Sequence, residues 1–330
     1  MTAPDEVARP PGAPRDGTIT VIGEALIDVV HRPGEPAGSA EEFPGGSPAN
    51  VALGLGRLGR TPRLLTALGD DARGRQLRAH LAPSGVEVVD LGGSSRTATS
   101  TAWLREDGSA RYDFDLRWQP EAGRAAAEPA PMWAHTGSIA AVLEPGASEV
   151  LRLIRRWRER AVVSFDPNAR PSLIPDPAAA RERIGQLAAL SDVVKASDED
   201  LEFLAPGRDP QETASQWLAS GASLVCVTFG GEGSLVLTAD GDRVEVPAAA
   251  VMVQDTVGAG DTFMAALIDA LAAHAPDPAV LRSAGPGAAG WSRPVVEAAA
   301  RRASLAAGIT VARRGADLPW AQELAAATAP

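Results

Sequence analysis

Cysteine, histidine and lysine are all scarce in this chain of 330 residues: one cysteine, Cys226, four histidines, and Lys195 as the only lysine. A single thiol makes no internal disulfide and no thiolate zinc cluster, and the histidines are scattered without metal-ligand spacing. Cys226 sits in Ser223-Leu224-Val225-Cys226-Val227-Thr228, an apolar run that predicts a buried strand. No apolar run is long enough to cross a bilayer, and residues 1–17, rich in Pro, Ala and charge, lack the apolar core of a secretory signal. These absences lead to the expectation of a soluble, cytoplasmic protein with a loose N-terminal tail. Asparagine occurs only at Asn50 and Asn168. With basic residues almost all Arg, this reads as a GC-rich coding bias, under which a depleted residue type is kept where its chemistry is required.

The net charge of −11 argues against nucleic acid and anionic membranes as partners, while a phosphorylated ligand can still bind locally. The length fits one large α/β domain, with or without an appended piece, better than several separate domains. Along the chain, Thr18–Gly23 predicts a buried strand with Asp28 following its end, and the pattern then fades into Pro and Gly as far as Phe43. Gly45-Gly46-Ser47-Pro48-Ala49-Asn50 leads into a helix, with Ser47 as N-cap, that stops at Gly59. Within it Gly54-Leu55-Gly56-Arg57-Leu58-Gly59 spells a dinucleotide fingerprint, but in mid-helix rather than after a strand, so its small residues are read as close packing against a sheet. Segments 98–105 and 110–116 alternate around Asp107-Gly108 and predict a hairpin, which with the 28–43 stretch makes a small projecting sheet. A strand and helix rhythm then runs to Val311, with a second hairpin at 234–238 and 243–246; Ala125–Ala130 and Ala284–Ala289 read as linkers. The pattern predicts a mainly parallel sheet covered on both faces, with polar motifs collected at its carboxyl edge.

The segment Asp255-Thr256-Val257-Gly258-Ala259-Gly260-Asp261 passes from apolar Val251, Met252 and Val253 into a helix marked by Phe263, Met264, Leu267 and Leu271. Glycines there leave N–H groups open at a helix N-terminus, a seat for a phosphoryl group. Asp261 has two readings: a first-turn dipole partner, with Asp255 a turn former, or a base that accepts the proton of an attacking hydroxyl.

These residues resemble the ribokinase-like (PfkB) carbohydrate kinases over roughly 18–319. Two motifs carry the resemblance, Gly45-Gly46-Ser47-Pro48-Ala49-Asn50-Val51-Ala52 followed by Gly59 and Gly69, and Asp255 to Asp261. It implies a doubly wound α/β fold spanning 18–320, with a β lid from about 28–44 and 97–117 and a terminal tail at 321–330. It also implies ATP-dependent phosphorylation of a sugar hydroxyl. On that resemblance Asp261 is the general base, and the amides of Val257, Gly258, Ala259 and Gly260 hold the transferring phosphoryl group. Asp28, Gly45, Gly46, Asn50 and Arg170 line the sugar pocket, which Trp103, Tyr112 or Phe114 either cover or leave for the core. Asn168, Lys195, Ser197, Thr228, Gly230 and Gly233 fall on the ATP side.

The family's Asn-x-x-Glu magnesium motif is replaced by Ser197-Asp198-Glu199-Asp200, so Mg2+ would rest on Asp200 and Glu199. A monovalent cation, K+, is implied near Asp255, Thr256, Arg313 and Gly315. The motifs look most like a fructose kinase. Ribokinase, nucleoside kinase and 2-keto-3-deoxygluconate kinase are alternatives, the last with Arg111 or Arg117 for its substrate's carboxylate, and a silent sugar or nucleotide sensor is a reading from another class. In this family the lid can also pair two copies into a homodimer.

Overall fold

The computed structural model describes residues 17–34, 39–105, 109–282 and 290–328; Ala284–Ala289 and most of the N-terminal tail lie outside them. Among the described residues thirteen strands form two sheets. The larger draws on β1 (Ile19–Ile22), β4 (Arg63–Thr66), β5 (Glu87–Asp90), β8 (Trp133–Gly137), β9 (Val162–Asp166), β10 (Val193–Ser197), β11 (Leu224–Thr228), β12 (Ser234–Thr238) and β13 (Arg243–Val246). Its order is β13-β12-β11-β10-β9-β8-β1-β4-β5, parallel from β5 to β11 and closed by an antiparallel hairpin. The smaller sheet joins β2 (Leu26–His31), β3 (Glu41–Gly45), β6 (Ala98–Leu104) and β7 (Ala110–Asp115) in the order β3-β2-β6-β7.

The helices are α1 (Ser47–Arg57), α2 (Ala72–Leu81), α3 (Ala122–Ala127), α4 (Gly146–Trp157), α5 (Pro177–Leu190), α6 (Asp198–Leu204), α7 (Pro210–Ala219), α8 (Ala259–Ala272), α9 (Pro278–Arg282), α10 (Arg293–Val311) and α11 (Ala321–Thr328). Successive strand residues feed opposite faces, as the pleat requires. Val162, Val193 and Cys226 point to a core built with α1, α8 and α10, whereas Val163, Val194 and Val225 point to one built with α4, α5 and α7. Cys226 is fully buried, and burial pushes its thiol up to about 12. From β1 the chain first builds β4 and β5 on one side, then returns to add β8 on the other. That switch point opens a crevice at the carboxyl ends of β1 and β8, where open α/β sheets take ligands. Among the described residues no helix is long and apolar enough to cross a membrane.

Several expectations are corrected. Asp28 does not follow the end of the first sheet strand directly; it lies in β2, on the small sheet, and the stretch from Asp28 to Phe43 that read as irregular supplies both β2 and β3. The alanine stretch at 125–130 is partly helical, with Ala125 buried in α3, and residues 321–328 form α11, whose Leu324 is buried in the core. The apolar residues Val251, Met252 and Val253 that precede the loop are exposed and irregular. Ser47 is the first helical residue rather than the cap, because its hydroxyl is drawn to Asp261; Gly46, at φ 99°, takes the cap position.

The small residues of α1 serve close packing, but against α8, Leu318 and the 3-10 turn after α2 rather than against a sheet. A Cβ on Gly54 would lie 2.7 Å from the Ala265 Cβ and 2.6 Å from Leu318, and one on Gly56 only 2.1 Å from the Ser84 carbonyl oxygen. Gly54→Val is therefore expected to lower stability by about 1–3 kcal/mol through overpacking. Urea denaturation checks this; an unchanged midpoint would show that the contact between α1 and α8 yields freely.

Candidate active site

The first turns of α1 and α8 meet at Asp261. Its two carboxylate oxygens accept from the Ser47 hydroxyl at 2.6 Å and from the Asn50 side-chain amide at 2.8 Å, and the residue is 7 % exposed. Both approaches depend on glycine. Gly46 lies where a Cβ would come 2.7 Å from the Glu24 carbonyl oxygen, and Gly258, at φ 78°, caps α8 in the left-handed region against Ala316. At the mouth of α8 the Val257 N–H donates to Asp255 at 3.0 Å and the Ala259 N–H turns back to the Thr256 carbonyl. Those two amides are thus engaged within the loop. Among the described residues the N–H groups of Gly258 and Gly260 have no such partner, and they face the end of the helix that favours anions.

Asp28 approaches from the lid. In the strand register it stands opposite Phe43 and Ser100, and Ser100 stands opposite Phe114, so all four share one face, with Tyr112 next along it. Trp103 lies on the other face, stacked on His31 and covered by Arg111. The register thus leaves Phe114 and Tyr112 able to cover a ligand beside Asp28, and removes Trp103 and Arg111 from it. Arg117 is paired with Asp115. Burial raises the Asp28 carboxyl above its ordinary range, opposed by the Ser100 hydroxyl and the Arg170 charge, which places Arg170 on the same side. Gly45 makes room: a Cβ there would sit 2.3 Å from Asp28 Oδ2.

Asn168 follows Asp166 in the left-handed region at φ 37°, with its N–H bonded to Asp166. Asp166 also holds the Lys195 ammonium at 2.9 Å, both side chains being almost fully buried. Asp200 is engaged throughout: it accepts from the Ala169 N–H at 2.6 Å and from the Ser197 N–H and hydroxyl, each at 2.8 Å, in a capping box that starts α6. Glu199 is exposed, and among the described residues no three acidic, His or Cys side chains gather around one point. The residues named for Mg2+ therefore do not fit as a protein-built metal cage. Thr228 ends β11, and Gly230, at φ 52°, and Gly233, at φ 105°, fold the following turn, where a Cβ on Gly233 would strike the Val246 carbonyl. For the monovalent cation, Asp255 is bonded to the Gly315 N–H at 2.9 Å and Thr256 lies beside it, whereas the Arg313 guanidinium is turned to Glu323 and Asp317.

Two further groups belong to the site. Ser47 read only as a cap, and its place inside the Gly-Gly-Ser-Pro motif was the available signal. Glu24, next to Gly23, is 5 % exposed and accepts from the Ala140 N–H at 3.0 Å; Ser138, whose side chain also bonds it, is held at φ 55°. Nothing in the sequence pattern distinguishes Glu24 from an exposed turn residue.

The chain matches the model of the pfkB family carbohydrate kinases over residues 16–323. It is 34 % identical to the fructokinase of Klebsiella pneumoniae over 268 residues, covering 78 % of this chain and 86 % of that one. Among solved structures, the fructokinase of Xylella fastidiosa with bound ATP superposes with a TM-score of 0.79 at 26 % identity, covering 94 % and 97 % of the two chains. A double mutant of the Vibrio cholerae O395 fructokinase, with fructose, ADP and potassium ion bound, gives 0.79 at 25 % identity, covering 96 % and 99 %. Fold and matches together make the protein an enzyme, a carbohydrate kinase that phosphorylates a sugar. The chain belongs to the pfkB family.

Burial pushes the Glu24 carboxyl up to about 7 from its ordinary 4.5, with the Asp261 charge adding to the rise and hydrogen bonds from Ala140 and Ser138 opposing it. Between those values the folded chain holds a proton that the unfolded chain has lost, so the contribution of Glu24 to stability falls as pH rises through the interval, by about 3 kcal/mol. Denaturant titrations from pH 4.5 to 7.5 are expected to show the wild type losing about this much stability relative to Glu24→Gln, whatever slope buried His135 and Asp166 add to both; a difference between the two that does not change with pH would remove Glu24 as its source.

Proposed function

We infer that the protein transfers the γ-phosphoryl group of ATP to a hydroxyl of fructose. The observation that carries the reading is the Asp261 carboxylate, fixed by Ser47 and Asn50 at the open N-terminus of α8. Each of its oxygens keeps a lone pair beyond the one bonded, so a sugar hydroxyl placed against it has an oriented proton acceptor. The Gly258 and Gly260 amides are donors for the oxygens of the group in transfer, and phosphoryl transfer asks mainly for such positioning and charge stabilisation.

Asp28, Asn50 and Arg170, beside Gly45 and Gly46, hold the sugar, with Phe114 and Tyr112 above it. Asn168, Ser197, Thr228, Gly230 and Gly233 take the nucleotide. ATP and ADP in the related structures, and fructose in one of them, support these assignments. The potassium ion in the Vibrio cholerae structure, together with the bond between Asp255 and Gly315, supports a K+ site here, made from the loop rather than from the Arg313 side chain. Magnesium then enters with the nucleotide phosphates rather than on a cluster of protein carboxylates. Phe43 and Tyr112, 47 % and 58 % exposed on the lid, support pairing of two copies through it.

Turnover over Michaelis constant across fructose, ribose, 2-keto-3-deoxygluconate and nucleosides, with ATP, Mg2+ and K+, is expected to be greatest for fructose. Preference for another sugar keeps the reaction and discards the substrate. Asp261→Asn is expected to lower kcat by about a hundredfold to ten-thousandfold while calorimetry shows sugar affinity nearly intact; near-normal turnover would take Asp261 out of the base role. Asp28→Ala is expected to weaken fructose binding roughly tenfold to a hundredfold with ATP binding unchanged, and the reverse pattern would put Asp28 on the wrong side of the cleft.

A further inference from the structure

A cavity of about 330 Å3 lies between the 3-10 turn Ser138–Ala141 and the start of α5. It belongs to the side of the sheet that carries α4 and α5, whereas α8 and Asp261 lie over the other, and neither Asp28 nor Asn50 lines it. Its wall is mostly hydrocarbon, from Ile139, Val142, Leu143, Leu173, Ile174 and Ile184. That size and lining are those of a small-ligand site, and water held against such a wall is readily displaced by an apolar group. Four charged residues complete the wall, and their bonding separates them. Asp176 caps α5 through the Ala178 and Ala179 N–H groups, and Glu144 accepts from Ser148 and Arg183, so both carboxylates are engaged. The arginines have donors to spare. Arg183 gives Nη2 to Glu144, but its Nη1 is buried and has no partner among the described residues, which is costly for a charged group. Arg170 gives only Nη1, to the carbonyls of Asn168 and Ala169. The chemistry left unanswered here is that of an anion with an apolar body, and a guanidinium matches a carboxylate.

We propose that this cavity is a regulatory site for a small carboxylate with a hydrocarbon body, whose binding between Arg170 and Arg183 weakens binding of the sugar. The hydrocarbon rests on Ile139, Leu173 and Ile184, and the carboxylate takes the spare guanidinium donors. Two loops carry the effect, because each forms part of the cavity wall and continues into the active site. Ser138 lines the cavity while its side chain bonds Glu24, and Ala169 lines it while its N–H holds Asp200. Arg170 is the group with most to move. Its charge acts on Asp28 on the sugar side, and a carboxylate in the cavity draws the guanidinium the other way. Sugar and acid then oppose each other by the same factor, as linkage requires. The regulatory effect rests on the sugar-kinase reading above; the binding of the acid does not.

Calorimetry with 4-methylpentanoate and 3-phenylpropionate, each compared with its uncharged amide, tests the site on protein saturated with ADP. The acids are expected to bind with dissociation constants of about a millimolar or tighter, and the amides at least about tenfold more weakly. Arg183→Gln is expected to remove most of that difference, and Ala180→Phe, which fills the cavity from α5, to abolish binding of acid and amide alike. Neither residue touches the reacting groups, so turnover without acid stays at the wild-type value in both and reports that each has folded. Acids that bind no better than amides in the wild type, or binding undiminished in both variants, overturn the site. In turnover assays, saturating acid is expected to raise the KM for fructose about fivefold or more with kcat unchanged, and fructose to weaken the acid by the same factor in calorimetry. Acid bound in the cavity with fructose affinity unmoved contradicts the regulatory role. Wild-type protein that transfers phosphate to no sugar would instead sink the kinase reading, and the calorimetry of the acids still decides the site.

Discussion

The site depends on one shared carboxylate. Asp261 is reached by Ser47 and Asn50 from a helix more than two hundred residues away in sequence, so the acceptor is oriented only when both ends of the chain have folded together. The close crossing of α1 and α8 through Gly54 and Ala265 sets that approach, and Gly46 and Gly258 open the two helix starts without side chains in the way. Gly45 extends the same arrangement to the lid by leaving room for the Asp28 carboxylate. Small residues here are conditions of the chemistry, since each occupies a point where a Cβ would press on an atom of a neighbouring segment.

Charge is distributed unevenly around this carboxylate. Glu24, Asp166, Asp200 and Asp261 are all buried at the sheet edge, and among the described residues Lys195 is the one cation buried with them. Burial lifts Glu24 and Asp166 to about 7 and about 6, Asp166 further raised by Asp200 and Asp261 and opposed by Lys195. A chain of net charge −11 thus keeps, at this edge, one buried ammonium and an open helix N-terminus, with the acids engaged by backbone and neighbouring side chains. Local arrangement outweighs net charge at this range, because buried groups are little screened by salt.

What could be read from sequence follows from how local each signal is. The Asp255–Asp261 loop and the α8 pattern were legible because glycines beside a helical apolar repeat say the same thing in any fold, and the 234–238 and 243–246 hairpin was legible from its turn. The small lid sheet was legible as the hairpin joined to the 28–43 stretch, but the bounds of its strands β2 and β3 were not, since proline and glycine interrupt 28–43 and the pairing partner β6 is some seventy residues further on. Helices α3 and α11 were hidden in alanine-rich stretches that read equally well as linker or tail. Which lid aromatic faces the ligand was undecidable until the register placed Phe114 opposite Ser100 and Trp103 opposite Arg111. Ser47 and Asp200 show the converse limit: both sat in recognised motifs, but what each bonds is a tertiary fact, Asp261 for one and the Ala169 amide for the other.

The central claim is that Asp261 and the opening of α8 pass a phosphoryl group from ATP to a sugar oxygen rather than to water. A 31P NMR time course of the wild-type protein with ATP, Mg2+, K+ and fructose tests this directly. The account predicts a growing phosphomonoester signal in step with ADP and dependent on the sugar. Release of inorganic phosphate without a sugar phosphate, or persistence of ATP with fructose and other sugars alike, would contradict it.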